Sequence, residues 1–198
     1  MNDFNPRDYL NPACDIARDA GRRILDVYER GFSVEQKEDR SPLTEADRAA
    51  HELICEKLEL LTPGVPVLSE ESAKADYEKR AGWKRFWLVD PLDGTKEFIN
   101  RNGEFTVNIA LIEGHRPVLG VVYVPVTGLT YFAAAGAEAF KQKGECETQA
   151  IRVRRSAGGK PMLVASRSHA GPETEAFLKN LGAHDVVSMG SALKLCLV

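Results

Sequence analysis

The sequence lacks the features that mark several classes of protein. Its 198 residues carry 26 basic and 29 acidic side chains, a formal net charge of −3, which gives no electrostatic reason to expect binding to nucleic acid or to an anionic membrane. No apolar run approaches the length of a membrane-spanning helix, and no internal repeat or low-complexity tract is visible. Any phosphorylated ligand must therefore be held by a local site.

Cysteine is scarce and is not arranged for metal binding. The four cysteines, Cys14, Cys55, Cys146 and Cys196, are scattered through the chain without the spacing of a zinc site, and the first residues contain no apolar signal segment. Free thiols in a reducing cytoplasm are the expectation.

The composition is that of an ordinary globular protein, with 43% hydrophobic and 28% charged residues. Apolar residues at helical spacing predict helices over 6–30 and 44–61, and a last helix is expected near Ser191. Three β-rich runs separated by turn residues predict an antiparallel meander. Further strands and one more helix are expected in the last third of the chain. The β-rich runs are 105–112, 118–126 and 129–135; the later strands are 151–153, 162–165 and 186–187, and the later helix is 173–181. This order of elements predicts an α+β fold of layered sheets and helices.

The most informative segment is Asp90-Pro91-Leu92-Asp93-Gly94-Thr95. The preceding aromatic and β-branched run predicts a strand that ends at Asp90, because Pro91 has no N–H for a ladder. Gly94 can adopt the positive φ of a tight turn, and Thr95 then begins a helix whose free N–H groups favour an anion.

Two carboxylates this close repel each other unless a cation offsets their charge. Oxygen ligands without nearby His or Cys favour Mg²⁺ over Zn²⁺. The alternative is that Asp90 and Asp93 are only turn and helix-cap residues, a common use of Asp. The residues alone leave both interpretations open.

The D-P-L-D-G-T motif resembles the central metal-binding motif of the inositol monophosphatase superfamily. Its continuation, Lys96-Glu97-Phe98-Ile99, is similar to the 3'(2'),5'-bisphosphate nucleotidase branch of the CysQ type. The resemblance implies a five-layer αβαβα sandwich with an incomplete C-terminal part. It also implies an N-terminal metal-binding domain over 1–135 and the start of a substrate-side domain over 136–198, with the boundary lying somewhere within 135–159.

The resemblance also implies roles for individual residues. Metal would be held by Glu70, Asp90, the backbone carbonyl of Leu92, and Asp93. Thr95 and Asp47 would hydrogen-bond each other, and with Glu70 they would be the catalytic residues. The implied substrate-binding residues are Glu70, Leu92, Asp93, Gly94, Thr95, His169 and Ser191.

Four of these residues also have a structural alternative. Without the resemblance, Glu70 would be interpreted as an exposed loop charge, and Asp47 fits a capping box with Thr44. Ser191 is suited to an ordinary helix cap, and His169 to a polar surface loop.

The implied activity is an Mg²⁺-dependent phosphatase with two or three ions. It would remove the 3'-phosphate of 3'-phosphoadenosine 5'-phosphate, giving AMP and phosphate, and the sulphated analogue is a second candidate substrate from sulfur metabolism. A cytoplasmic location is implied, with peripheral attachment to the inner membrane as a second option. Alternatives are an inositol or sugar monophosphatase of the same superfamily, and a metal- or nucleotide-binding protein without catalysis.

Family members continue into a later Trp-Asp motif that completes the second metal site, whereas here nothing follows Val198. We therefore expect a truncated product, in which the second metal binds weakly and turnover is low.

Overall fold

The computed structural model describes residues 4–36, 42–72, 76–153, 159–167 and 171–198. Its α-helices are α1 Leu10–Arg30, α2 Glu45–Leu61, α3 Tyr77–Ala81, α4 Thr95–Ile99 and α5 Pro172–Asn180. Its strands are β1 Val34–Gln36, β2 Pro42–Thr44, β3 Val67–Ser69, β4 Arg85–Asp93, β5 Thr106–Glu113, β6 Arg116–Val124, β7 Leu129–Ala134, β8 Ala139–Lys143, β9 Gln149–Ile151, β10 Met162–Ser166 and β11 Asp185–Met189. Short 3-10 helices span Pro6–Tyr9 and Ala192–Leu197.

Seven strands form one mixed sheet in the order β3-β4-β5-β6-β7-β8-β9. Strands β4 to β9 are antiparallel neighbours, which confirms the predicted meander of β5, β6 and β7. Strand β3 pairs with β4 in parallel. The carboxyl ends of β3 and β4 therefore lie at the same edge of the sheet.

Helices α1 and α2 cover one face of this sheet. The apolar stripe of α1 includes Ala13, Ala17, Ala20 and Ile24, all fully buried, and it packs against α2 and β6. On the sheet side, fully buried residues such as Trp87 complete the core. The packing of α1 and α2 on the large sheet, together with a separate sheet later in the chain, confirms the α+β class and the layered arrangement.

Strand β4 is longer than the sequence predicted. It continues through Pro91 to Asp93, so the expectation that the strand ends at Asp90 is wrong. The pairing with β5 passes from Asp90↔Asn108 to Asp93↔Thr106, which leaves one extra residue on β4, a β-bulge. A bulge residue needs no ladder N–H, so proline is tolerated within the strand.

A smaller unit, called here the C-terminal unit, comprises β10, α5, β11 and the 3-10 helix Ala192–Leu197. Strands β10 and β11 pair in parallel as a sheet of their own. The predicted elements at 162–165, 173–181 and 186–187 are all present, but the last helix is a 3-10 helix. The large sheet runs past residue 135 to Ile151, which favours the later part of the expected boundary interval; the division into two domains stays a prediction.

The second face of the large sheet is lined by small and aliphatic side chains, among them Leu88, Ala110 and Val122, around a groove of about 800 Å³. Leu88 is 44% exposed there, whereas its neighbour Trp87, on the helix side, is fully buried.

No helix within the described ranges is long and apolar enough to cross a membrane.

Candidate active site

The parallel pairing of β3 and β4 brings Glu70 beside Asp90. Ser69 pairs with Val89, and the backbone N–H of Glu70 donates to the Val89 carbonyl at 3.0 Å. Glu70 therefore stands at the end of β3, next to the point where regular pairing of β4 with β5 is interrupted. Two carboxylates from different strands therefore meet at one edge of the sheet.

Asp90 is an ionisable residue in a poorly solvated position. Burial, and then the nearby carboxylates of Asp93 and Glu70, raise the pKa of Asp90 to about 8. Its Oδ1 is buried and has no hydrogen-bond partner in the described part of the chain. A cation at this position would offset the desolvation and repulsion and so favour the ionised carboxylate.

A second unsatisfied oxygen lies opposite. Asn108 is the cross-strand partner of Asp90, so both side chains lie on the same face of the sheet, and Asn108 Oδ1 is likewise buried without a donor among the described residues. Two adjacent acceptor oxygens without donors fit a hard cation.

These side chains do not form a closed metal cage. Among the residues that the structure describes, no three His, Cys, Asp or Glu side chains already enclose a metal position. An open arrangement is the usual one for Mg²⁺, which takes one or two carboxylates and completes its shell with water and substrate phosphate.

Asp93 is held quite differently from Asp90. Its Oδ2 accepts a hydrogen bond from Asn108 Nδ2 at 3.2 Å and another from the backbone N–H of Ala192 at 2.5 Å. The second bond joins β4 to the C-terminal unit, 99 residues later in the chain. Asp93 is thus oriented by the protein itself.

The turn after Asp93 has the geometry predicted for it. Gly94 has φ +92° and ψ +43°, a left-handed conformation that favours glycine, and α4 begins at Thr95. The Thr95 hydroxyl lies 3.3 Å from the carbonyl oxygen of Leu92, the carbonyl that the family motif predicts as a metal ligand.

Asp47 serves the helix cap and the site together. Its Oδ2 accepts hydrogen bonds from the backbone N–H and the hydroxyl of Thr44, at 2.8 and 2.6 Å, which forms the predicted capping box. Its Oδ1 lies 3.4 Å from the Thr95 hydroxyl, which donates to it. The residue is 1% exposed. Both interpretations of Asp47 are therefore compatible in one geometry.

A cavity of about 280 Å³ joins these parts to the C-terminal unit. It is lined by Glu70, Asp93, Gly94, Thr95, Lys96, Glu97, Ser166, Gly190, Ser191 and Lys194. Ser191 Oγ accepts from the Leu193 N–H at 3.3 Å, so Ser191 is a helix cap as well as a cavity residue. Lys194 Nζ donates to the Ser191 carbonyl at 2.6 Å. Carboxylates and two lysines thus line one cavity.

The structure brings together all the predicted site residues except one. His169 lies outside the described residues. Sequence reasoning missed Asn108, Lys96 and Lys194. For Asn108 a signal was present, because a lone amide in the apolar run of β5 is unusual.

Comparison with known proteins gives consistent results. The family model described as the inositol monophosphatase family matches residues 5–198. The 3'(2'),5'-bisphosphate nucleotidase CysQ of Salmonella typhimurium is 53% identical over 191 residues, which cover 96% of this chain and 76% of the relative. The protein of the same name from Escherichia coli K12 is 52% identical over the same shares.

Solved structures agree. The crystal structure of CysQ from Bacteroides thetaiotaomicron, described as a bacterial member of the inositol monophosphatase family, superposes with a TM-score of 0.78 at 44% identity. That match covers 94% of this chain and 74% of the other. An inositol monophosphatase from Anabaena matches with a TM-score of 0.77 at 25% identity.

Proposed function

The chain belongs to the inositol monophosphatase family, and we propose that it is a phosphatase that hydrolyses the 3'-phosphate of 3'-phosphoadenosine 5'-phosphate to give AMP and phosphate. Relatives more than half identical to it carry the name 3'(2'),5'-bisphosphate nucleotidase. The structural observation that carries the proposal is the 280 Å³ cavity, because it combines carboxylates for a cation with lysines for an anion.

Members of this family are generally metal-dependent. We infer that the ions are two or three Mg²⁺ held by Glu70, Asp90, the Leu92 carbonyl and Asp93, and the unsatisfied Asp90 Oδ1 supports this assignment. When bound, Mg²⁺ supplies neutralisation of phosphate charge and acidification of a water molecule.

The residues of the chain would then position the reactants. Thr95 lines the cavity and donates its hydroxyl proton toward Asp47 Oδ1, so a hydroxyl lone pair is left to accept a hydrogen bond from the attacking water. Asp47 cannot turn away, because its other oxygen is fixed by Thr44.

The substrate would be held by backbone and cationic groups. The N–H groups at the first turn of a helix have no partner within the helix, so those of Gly94 and Thr95 are suited to the scissile phosphate. Lys96 and Lys194 line the same cavity and would bind phosphate oxygens. A substrate with two phosphates makes use of more of these groups than a monophosphate.

The test is phosphate release by the purified chain from 3'-phosphoadenosine 5'-phosphate and from inositol 1-phosphate, with and without Mg²⁺. We expect Mg²⁺-dependent turnover with the nucleotide preferred. Preference for inositol 1-phosphate would refute the proposed substrate. Nucleotide binding without turnover would instead support a protein that binds its ligand without catalysis.

A further inference from the structure

We propose that Glu104 and Arg167 are positioning residues that fasten the turn 190–192 of the C-terminal unit onto the 90–95 loop, and thereby fix Asp93 and Ser191 in the site. The proposal rests on the proposed function for its kinetic part only. Neither residue belongs to the set that holds metal or touches phosphate, and they lie 63 residues apart in the chain.

The two side chains form a bidentate ion pair between the large sheet and the C-terminal unit. Arg167 Nε donates to Glu104 Oε2 at 2.9 Å, and Arg167 Nη2 donates to Glu104 Oε1 at 2.6 Å. Arg167 Nη2 also donates to the carbonyl of Ser188 in β11 at 3.0 Å. One guanidinium thus connects the ends of β10 and β11 to Glu104, just before β5.

Glu104 also holds the turn directly. The backbone N–H of Gly190 donates to Glu104 Oε2 at 2.8 Å, and two residues later the N–H of Ala192 donates to Asp93. Ser191, between them, has φ +48° and ψ −169°, a strained backbone for a residue with a side chain. Such a conformation persists only where the surroundings hold it.

The turn is seated too closely to admit side chains at its contact points. A Cβ at Gly190 would lie 2.4 Å from Glu97 Cγ and 3.0 Å from the Glu104 carbonyl oxygen. A Cβ at Gly94 would lie 3.2 Å from the same oxygen and 3.2 Å from Ser191 Cβ. The backbone of Glu104 is therefore packed between the two glycines.

Polar contacts hold the C-terminal unit on the large sheet, because none of the apolar side chains described within 159–198 is buried. Within the described residues of 159–198, only Gly190 and Ser191 are buried. Helix α5 buries no residue. Loss of the Glu104 contacts should therefore free the turn, and Ala192 with it, from Asp93.

The first measurement is residue-resolved amide hydrogen exchange of the complete 198-residue chain by NMR. In Glu104→Ala we expect exchange of the Ala192 amide, which does not itself touch Glu104, to become at least about tenfold faster. Glu104→Gln keeps an acceptor for the Gly190 N–H and should fall between wild type and Glu104→Ala. Unchanged Ala192 exchange in Glu104→Ala would overturn the proposal.

The matched control is Glu113→Ala. It breaks the Arg85–Glu113 ion pair, which also links an arginine to a glutamate but lies at the opposite end of the β4–β5 ladder. Ala192 exchange should equal that of wild type in this variant. An equal rise in the Ala192 exchange rate in both variants would mean that the sheet is generally loosened. It would refute a specific effect of the Glu104–Arg167 ion pair.

The second measurement is hydrolysis of 3'-phosphoadenosine 5'-phosphate. Misplacement of a reacting group by about 1 Å can cost about 10²-fold in rate, so kcat should fall about 10²-fold in Glu104→Ala and less in Glu104→Gln, while KM changes far less than kcat. Faster Ala192 exchange with unchanged kcat would reduce the pair to a purely structural role and contradict positioning. A wild-type chain without turnover would count against the proposed function. Amide exchange alone would then decide whether Glu104 and Arg167 hold the turn 190–192.

Discussion

Asp90 and Asp93 are the same residue type on the same strand, three positions apart, yet their surroundings differ. Asp93 accepts two hydrogen bonds, from Asn108 and Ala192, whereas Asp90 has a buried oxygen without a donor in the described structure and a pKa raised to about 8. The hydrogen bonds of the protein orient Asp93, whereas the cation that we propose at Asp90 would offset the burial and repulsion of that carboxylate. Two residues of the same type in one motif therefore need not have the same role in binding.

The strongest test of this comparison is to replace each carboxylate by its amide. We expect Asp90→Asn and Asp93→Asn each to lower kcat/KM for phosphate release by about 10³-fold, the effect of losing about 4 kcal/mol of charge stabilisation. Steady-state assays over a range of Mg²⁺ concentrations measure this.

Metal-free stability should separate the two variants. Asp90→Asn removes the cost of burying or protonating this carboxylate and should raise the melting temperature without metal. Asp93→Asn should not, because it weakens the two hydrogen bonds that the Asp93 carboxylate accepts from Asn108 and Ala192. Equal melting temperatures would contradict the difference drawn between the two residues.

The pH dependence of stability tests the same point. Because the folded pKa of Asp90 is raised, the folded state binds more protons than the unfolded state, and stability falls as pH rises. The loss should extend from the ordinary aspartate pKa, about 4, to about 8. Thermal unfolding of the metal-free chain between about pH 5 and 8 should show this decline.

Two variants show which carboxylate is responsible for the slope of stability against pH. Asp90→Asn should flatten it, and Asp93→Asn should retain part of it, since burial is the largest cause of the shift. A wild-type slope as flat as that of Asp90→Asn would show that Asp90 does not titrate in this range.

Asn108 contacts Asp93 through its nitrogen and lies opposite Asp90 with an unsatisfied oxygen. We expect Asn108→Leu to weaken Mg²⁺ binding by about tenfold, the lower end of the range for residues that orient metal ligands. Isothermal titration calorimetry gives the affinity, and Asn180→Ala, at the exposed end of α5, is the control. Unaltered affinity would remove Asn108 from the site.

The smallest effect is expected at Gly94, the residue that follows Asp93. Gly94→Ala places a side chain at φ +92° and should cost about 1–2 kcal/mol of unfolding free energy. Gly64→Ala is the matched control, because Gly64 has φ +80° and a Cβ added there would meet no atom within 4 Å. Denaturant unfolding of both should show a larger loss at Gly94, by the cost of contact with Glu104 and Ser191; equal losses would exclude that contact cost.

Local patterns were sufficient to predict much of the molecule. Helical spacing predicted α1 and α2, and alternating apolar runs predicted the meander. Strand β8 was missed, because its half-exposed Ala-Phe-Lys-Gln-Lys sequence has too few apolar residues to stand out. The extent of β4 was misjudged because a bulge, which only the pairing with β5 reveals, admits Pro91.

The candidate site likewise has one part that the sequence predicts and another that only the tertiary structure reveals. The carboxylates of the 90–95 loop follow from sequence patterns and from the family motif, and Glu70 follows from the resemblance to the family. The pair Glu104 and Arg167 and the lysine at 194 come from segments far apart in the chain. Only tertiary packing brings them together, so no local pattern contains them.

The double role of Asp47 has a consequence for heat inactivation. The first turn of α2 and the hydroxyl of Thr95 share one carboxylate, so fraying of that turn releases Thr95 while the sheet is still intact. Helix ends open at lower free energy than the core. Activity should then be lost reversibly on heating before the cooperative unfolding transition, and the temperature limit of the enzyme would be set by one helical turn.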